Sequence, residues 1–341
     1  MNILICETEE WEIQACQGLA VAHDLTCRRE PFSDAILQQY PDTEVLSCFV
    51  NSRLSADLLT RLSRLRLIAT RSTGYDHIDL DYCAAHGITV SNVPDYGDAT
   101  VAEHTFALLL AAVRHVPAAT ERTRRGDFSQ AGLRGVELRG KVLGVIGTGR
   151  IGRRVIEIAK GFGMRVVAFD VKANEAAAGQ LGFRYVTLPE LLSSADIVTI
   201  HVPGGPHSSS MISDAEFAAM KSGAVLVNTS RGSLIDVSAL VRALSAGKLR
   251  AVALDVLPQE SLIREEAEIF RSGAEMPAML RDLVADHALL RFENVLVTPH
   301  IAYNTEEAVH RIISTTIENI EAFAANTPHN VVRQASTKGP R

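Results

Sequence analysis

Along the chain, short β-branched apolar runs alternate with stretches whose apolar positions recur three and four residues apart. That alternation predicts parallel sheets covered by helices. Two series of runs can be separated. The first holds NILIC, EVLSCFV, LRLIATRST and ITVSNVP, with amphipathic segments such as SADLLTRLSRL between them. The second holds VLGVIG, RVVAFD, IVTIHVP, AVLVNTS, RAVALDV and VLVTPH, with helices predicted over GRRVIEIAKGFG, LPELLSSA, DAEFAAMK and VSALVRALSAG.

Between the series lies TVAEHTFALLLAAVRHV, a long apolar helix by pattern, followed by a polar, Arg-rich stretch to about Gly140 that reads as a hinge and connector. After His300 the segment NTEEAVHRIISTTIENIEAFAA is again amphipathic, and a helix there can cross back to the first domain. The expected organisation is therefore one discontinuous domain, residues 1–100 and 302–341, with a second domain, 101–301, inserted into it. The length of 341 residues agrees with two cores rather than one. The polar tail HNVVRQASTKGPR is expected to fray.

Composition narrows the function. Hydrophobic residues make up 47% and charged residues 22%, enough apolar material for packed cores. A net charge of −6 without a long Lys/Arg run argues against nucleic acid or anionic lipid as a partner. The start MNILICETEEWE lacks the flank and core of a signal peptide, and no stretch approaches the ~20 apolar residues of a membrane span, so a cytoplasmic protein is expected. The five cysteines (Cys6, Cys16, Cys27, Cys48, Cys83) show no CxxC spacing and read as reduced, mostly buried residues, with no metal site.

The strongest chemical signal is Gly147-Thr148-Gly149-Arg150-Ile151-Gly152, preceded by the strand KVLGVI and followed by a helix and a second strand ending in Asp170. These are the parts of a dinucleotide-binding turn in their required order. Gly147 permits the tight turn, Gly149 lets the backbone approach a pyrophosphate, and Gly152 lets the helix pack closely. Asp170 is placed to accept hydrogen bonds from ribose hydroxyls and to repel a 2′-phosphate, favouring NAD over NADP, although Lys172 nearby offers an opposing charge.

Three further strand ends carry polar residues: Thr229-Ser230-Arg231-Gly232, Asp255 to Glu260, and Thr298-Pro299-His300-Ile301. Singly, each also fits a dull reading as a capping arginine, a solvated glutamate or a histidine satisfying a carbonyl. Together, at the ends of strands in a dinucleotide domain, they supply a cation for a carboxylate, an acid and a titratable imidazole. Hydride transfer to a 2-oxo acid requires those groups.

The sequence resembles the D-2-hydroxyacid dehydrogenase family, and within it the D-lactate dehydrogenase branch. The matching stretches are RSTGYDHIDLDYC, VSNVPDYGDATVAEHTFALLLA, GKVLGVIGTGRIGRRV, ADIVTIHVP, LVNTSRGSLID, LDV with Glu260, and NVLVTPHIAYNT, from about residue 44 to 320. The resemblance implies an α/β fold of two doubly wound parallel-sheet domains, a Rossmann cofactor domain inserted into a flavodoxin-like substrate domain. It implies His300 as acid/base, Glu260 as its carboxylate partner and Arg231 as the substrate-binding cation. His201, Val202, Pro203, Thr229, Ser230 and Asp255 join the glycine turn and Asp170 around the cofactor. Thr73 and Gly74, in the turn Ser72-Thr73-Gly74-Tyr75, are expected to offer backbone N–H groups to the substrate carboxylate. Tyr96 and Tyr303 match cleft aromatics, with ordinary half-buried loop tyrosines as the alternative.

Two departures stand out. The stretch between Glu260 and His300 is longer than in most of the wider family, and the loop PDYGDA is more acidic, with Asp95 expected to point away from an anionic substrate. The expected activity is D-lactate dehydrogenase. The alternatives are glyoxylate/hydroxypyruvate reductase, a dehydrogenase for bulkier 2-oxo acids, or an NADH-sensing corepressor-like binding protein. The family also implies a homodimer, with Arg114 to Gly140 as the arm.

Overall fold

The computed structural model describes residues 1–205, 208–258 and 285–332. The chain divides into two compact units, Met1–Tyr96 with Asn304–Arg341, and Gly97–Tyr303. The division falls a few residues from the expected 100/101 and 301/302. The long helix that opens the second unit starts at Asp98, and the loop after the last strand stays with that unit through Tyr303.

The first unit holds a five-stranded parallel sheet in the order β2-β1-β3-β4-β5. Its strands are β1 (Asn2–Ile5), β2 (Asp24–Cys27), β3 (Val45–Cys48), β4 (Leu67–Thr70) and β5 (Thr89–Ser91), with helices α1 (Glu10–Cys16), α2 (Asp34–Gln39), α3 (Ala56–Leu59) and α4 (Leu80–Ala85) between them. Successive strand residues face opposite sides. Leu4, Leu46 and Ile68 pack with Phe32, Leu37 and Leu59, whereas Ile3, Val45 and Leu67 pack with Cys16, Leu19, Ile313 and Ile320. The last two lie on the helix Glu306–Ala324, whose N-cap Thr305 hydroxyl accepts from Ala308 N–H. Burial of this helical face ties the chain's far end to the first sheet. Val331 also bridges Ser91 at the sheet edge.

The second unit holds a seven-stranded, all-parallel sheet in the order β12-β11-β10-β9-β6-β7-β8. The strands are β6 (Val142–Ile146), β7 (Arg165–Phe169), β8 (Arg184–Tyr185), β9 (Ile197–Ile200), β10 (Ala224–Asn228), β11 (Leu249–Leu254) and β12 (Val295–Val297). The chain starts in the middle at β6, builds outward to β8, then returns to β9 and builds the other way. This is the dinucleotide-binding order, with its switch point between β6 and β9. Helices cover both faces: Leu143, Val225 and Ala251 enter one core cluster, while Ile146, Leu226 and Val252 enter the other.

The expected helix TVAEHTFALLLAAVRHV is shorter than its pattern. α5 (Asp98–Val113) ends there, His115 takes a left-handed φ of 54°, and a new helix, α6 (Val116–Arg124), occupies part of the stretch read as a connector. Pro117 accounts for the break, because a proline tolerated in a first turn cannot continue a helix that is already running.

Candidate active site

The chain leaves β6 through Gly147-Thr148-Gly149 and enters α7 (Arg150–Gly161). Gly147 has φ +93°, and a Cβ there would lie 2.6 Å from the His201 carbonyl oxygen. At Gly152 a Cβ would lie 2.1 Å from the Gly147 carbonyl oxygen, so the first helical turn sits directly on the loop. Beside Gly149 there is open space, with nothing within 4 Å of an added Cβ. Arg153 N–H donates to Gly149 O and closes the first helical bond, so the N–H groups of 150–152 face out of the helix end. An open cradle of backbone donors at a helix N-terminus fits a pyrophosphate. Ile151 packs partly buried against the core, and Arg150 pairs with Asp98 at 3.1 Å.

Asp170, one residue past β7, faces the same loop. Its carboxylate accepts from Thr148 N–H (2.7 Å), the Thr148 hydroxyl (3.0 Å) and Lys172 N–H (2.9 Å). Burial acts to raise its pKa, but these donors and nearby Arg153 outweigh it, holding the carboxyl below its usual range. The Thr148 hydroxyl also meets the Tyr185 hydroxyl at 2.7 Å. Thr148 and Tyr185 were not singled out from the sequence, and their only signal is position: one inside the glycine turn, the other on the edge strand β8.

Beyond β9, the His201 carbonyl and the Val202 side chain form the wall against Gly147, and Pro203 is exposed. The His201 imidazole meets the Thr199 hydroxyl at 2.8 Å, its Nδ1 has no hydrogen-bond partner among the described residues, and burial pushes its pKa down to about 3. Beyond β10, the Thr229 hydroxyl lies 3.0 Å from that of Thr105, and the Ser230 hydroxyl donates to Ile200 O. Arg231 is half-buried and donates through Nη1 to Ser230 O.

His300 follows β12 with a left-handed φ of 55°. Its loop is fastened to Asp255, which is 1% exposed. One Asp255 oxygen accepts from the Thr298 hydroxyl (2.6 Å) and Ile301 N–H (2.9 Å), the other from Ala302 N–H (2.8 Å). Burial acts to raise the Asp255 pKa, but donation from His104, Thr298, Ile301 and Ala302 lowers it overall. Asp255, expected beside the cofactor, thus has most of its acceptor capacity engaged by the histidine loop. Glu260 lies outside the described residues. Tyr303 is half-buried.

In the first unit, the turn after β4 is held by its own side chains. The Ser72 hydroxyl donates to Gly74 O (2.5 Å), that of Thr73 to Val93 O (2.8 Å), and the Asn92 amide to Thr73 O (2.8 Å). The N–H groups of Thr73, Gly74 and Tyr75 meet no hydrogen-bond acceptor among the described residues. Arg71, fully buried before this turn, donates to Cys6 O and Glu7 O and pairs with Glu12 at 3.2 Å. Tyr96 is half-buried and its carbonyl accepts from Arg311, while Asp95 is exposed. The five cysteines are free, and burial raises every thiol pKa, those of Cys6 and Cys16 to about 12. Among the described residues no cluster is placed to hold a metal ion, and no helix is long and apolar enough to cross a membrane.

Residues 106–302 match the family described as D-isomer specific 2-hydroxyacid dehydrogenase, NAD binding domain. The chain is 35% identical over 316 residues to a glyoxylate reductase of Aeropyrum pernix, covering 90% of this chain and 88% of that one. It is 38% identical over 282 residues to a D-lactate dehydrogenase of Escherichia coli, covering 81% and 82%. Among solved structures, D-lactate dehydrogenase from Aquifex aeolicus complexed with NAD and lactic acid matches 96% of both chains at 34% identity, with a TM-score of 0.87.

Proposed function

The chain belongs to the D-isomer specific 2-hydroxyacid dehydrogenase family, NAD-dependent oxidoreductases acting on the CH–OH group of 2-hydroxy acids, and from that premise we propose that it is a D-lactate dehydrogenase that reduces pyruvate. The observation that carries this reading is the set of groups at the carboxyl edge of one sheet: the glycine turn after β6, Arg231 after β10 and the anchored His300 after β12. The choice of pyruvate draws on the Aquifex relative that was crystallised with lactic acid.

NAD would be held by the turn of Gly147, Gly149 and Gly152 with the N–H groups of 150–152, by Asp170, and by the strand-end residues His201, Val202, Pro203, Thr229 and Ser230. When bound in reduced form it supplies the hydride for the substrate carbonyl carbon. Arg231 grips the carboxylate and polarises the carbonyl through its planar fork. His300 donates a proton to the carbonyl oxygen, and Glu260 is assigned as its carboxylate partner. Thr73 and Gly74 are assigned to carboxylate binding on the strength of their unengaged N–H groups. Tyr96 and Tyr303 are assigned to substrate contact. Asp255 contributes to cofactor binding at most through its remaining acceptor capacity.

A panel of 2-oxo acids assayed with NADH tests the reading. The highest kcat/KM is expected for pyruvate. Preference for glyoxylate, hydroxypyruvate or a bulky acid would move the assignment to a sister activity, and tight NADH binding without turnover would favour a sensor. Asp170 should also impose a preference for NADH over NADPH on the order of a hundredfold or more in kcat/KM, since a 2′-phosphate would meet a like charge. Asp170→Ala should narrow that gap, and equal use of both cofactors by the unaltered enzyme would shift weight to Arg150 and Lys172.

We also assign a cytosolic homodimer. Free thiols agree with a reducing compartment. A groove of about 690 Å³ lined by Ala111, His115, Arg122, Leu133 and Arg250, with Phe128 80% exposed nearby in sequence, supports the arm reading of Arg114 to Gly140. Light scattering that returns a monomer mass would remove the dimer.

A further inference from the structure

α5 is apolar over most of the face it turns to the sheet, with Ala102, Phe106 and Leu109 buried, yet it carries His104 among them. The imidazole is 20% exposed, and its Nε2 lies 3.3 Å from Thr298 Oγ1 and 3.5 Å from Asp255 Oδ1. The proton positions follow from the acceptors. A carboxylate only accepts, and the Thr298 hydroxyl gives its single proton to Asp255 at 2.6 Å. Nε2 therefore carries a hydrogen, shared between the hydroxyl oxygen and the carboxylate.

The tethered residues Thr298, Ile301 and Ala302 flank His300, whose left-handed backbone costs about 1 kcal/mol or more and persists only where its surroundings over-determine it. Asp255 provides that constraint only while its buried carboxylate keeps one orientation. Among the described residues it has no second basic side chain within ion-pair distance. We infer that His104 is a positioning residue of the reaction. Its Nε2–H fixes the Thr298 hydroxyl and the Asp255 carboxylate in the arrangement that holds the loop presenting His300. The inference rests on the reading of His300 as acid/base.

His104→Leu removes the donor, and His104→Gln restores an N–H near the position of Nε2. Misplacing a catalytic group by about 1 Å can cost up to about a hundredfold. The leucine variant should accordingly lose about tenfold or more in kcat for 2-oxo acid reduction, with a smaller change in KM and an unchanged NADH Kd by fluorescence quenching. The glutamine variant should recover most of the lost kcat. A leucine variant with undiminished kcat, or equal impairment of both variants, overturns the inference, the second outcome because it marks a packing effect. His300→Gln assayed alongside separates the two readings. An inactive His300→Gln beside an unimpaired His104→Leu rejects His104 alone, and an active His300→Gln rejects the acid/base assignment itself.

Discussion

His201 and His300 both follow strands at the carboxyl edge of the same sheet, and both sit in motifs that the sequence marks as functional. Their surroundings separate them. The His201 imidazole turns inward to Thr199, and burial holds its pKa at about 3, so it stays neutral near pH 7 and is not in its acid, imidazolium form there. What it offers the nucleotide turn is its backbone carbonyl, pressed against Gly147. His300 is half-buried on a left-handed backbone whose flanks are tied to Asp255. Position at a strand end makes a residue available. The surrounding contacts then decide what it can offer there, a backbone wall at His201 and the proposed acid/base at His300.

The sharpest test of this contrast is substitution of each histidine by glutamine. His300→Gln should lower kcat by about 10²- to 10⁴-fold, the usual worth of general acid catalysis, while the NADH Kd changes little. His201→Gln should leave turnover within a few-fold. Comparable losses from steady-state assays of the two variants would erase the distinction.

A smaller effect is expected from the anchor. In Asp255→Asn one acceptor becomes a donor facing backbone N–H groups, which should cost about 1–3 kcal/mol in urea unfolding and reduce kcat. The pH dependence has a definite sign. The folded carboxyl is held below its unfolded value of about 4. Its contribution is therefore complete above pH ~4 and lost as pH falls through the folded pKa. The stabilities of the parent and Asp255→Asn should converge in that acid range, and a constant difference would show that the charge of Asp255 is not what anchors the loop.

The last effect, expected in stability with turnover within a few-fold of the parent, concerns His201. The unfolded chain takes up a proton at this residue near pH 6.5, whereas the folded chain does so only near pH 3. The contribution of a neutral, buried His201 is present above pH ~6.5 and lost progressively toward pH 3. His201→Gln cannot charge, and its unfolding free energy should be flatter across that window. Parallel curves for the two proteins would mean that His201 is not held neutral by burial.

The legible parts of the fold were those with strong local patterns. Ten of the strands sit in apolar runs, but β2 (DLTC) and β8 (two residues, Arg184–Tyr185) went unseen. Both lie at sheet edges, where one side is unpaired and polar residues are tolerated. The pattern also overran the end of α5, since apolar spacing continues through Val116 while Pro117 interrupts the hydrogen-bond ladder. In the site, the glycine turn and Asp170 were readable because they need particular residues within a short span. Thr148, Tyr185 and His104 were not, because nothing in their immediate neighbourhood distinguishes them from ordinary polar residues.

The sequence by itself determined the two α/β series, the nucleotide turn with its acidic strand end, and the residues available at the ends of β10, β11 and β12. Each of these depends on side-chain chemistry and backbone permissiveness over a few consecutive positions. Only the tertiary structure decided what those residues do for one another. Asp255 accepts from a loop 46 residues away, and His104 reaches Thr298 across 194 residues. Such partnerships arise when separate helices and strands are packed against one sheet, and the hydrogen bonds that fix them leave no local periodicity in the chain.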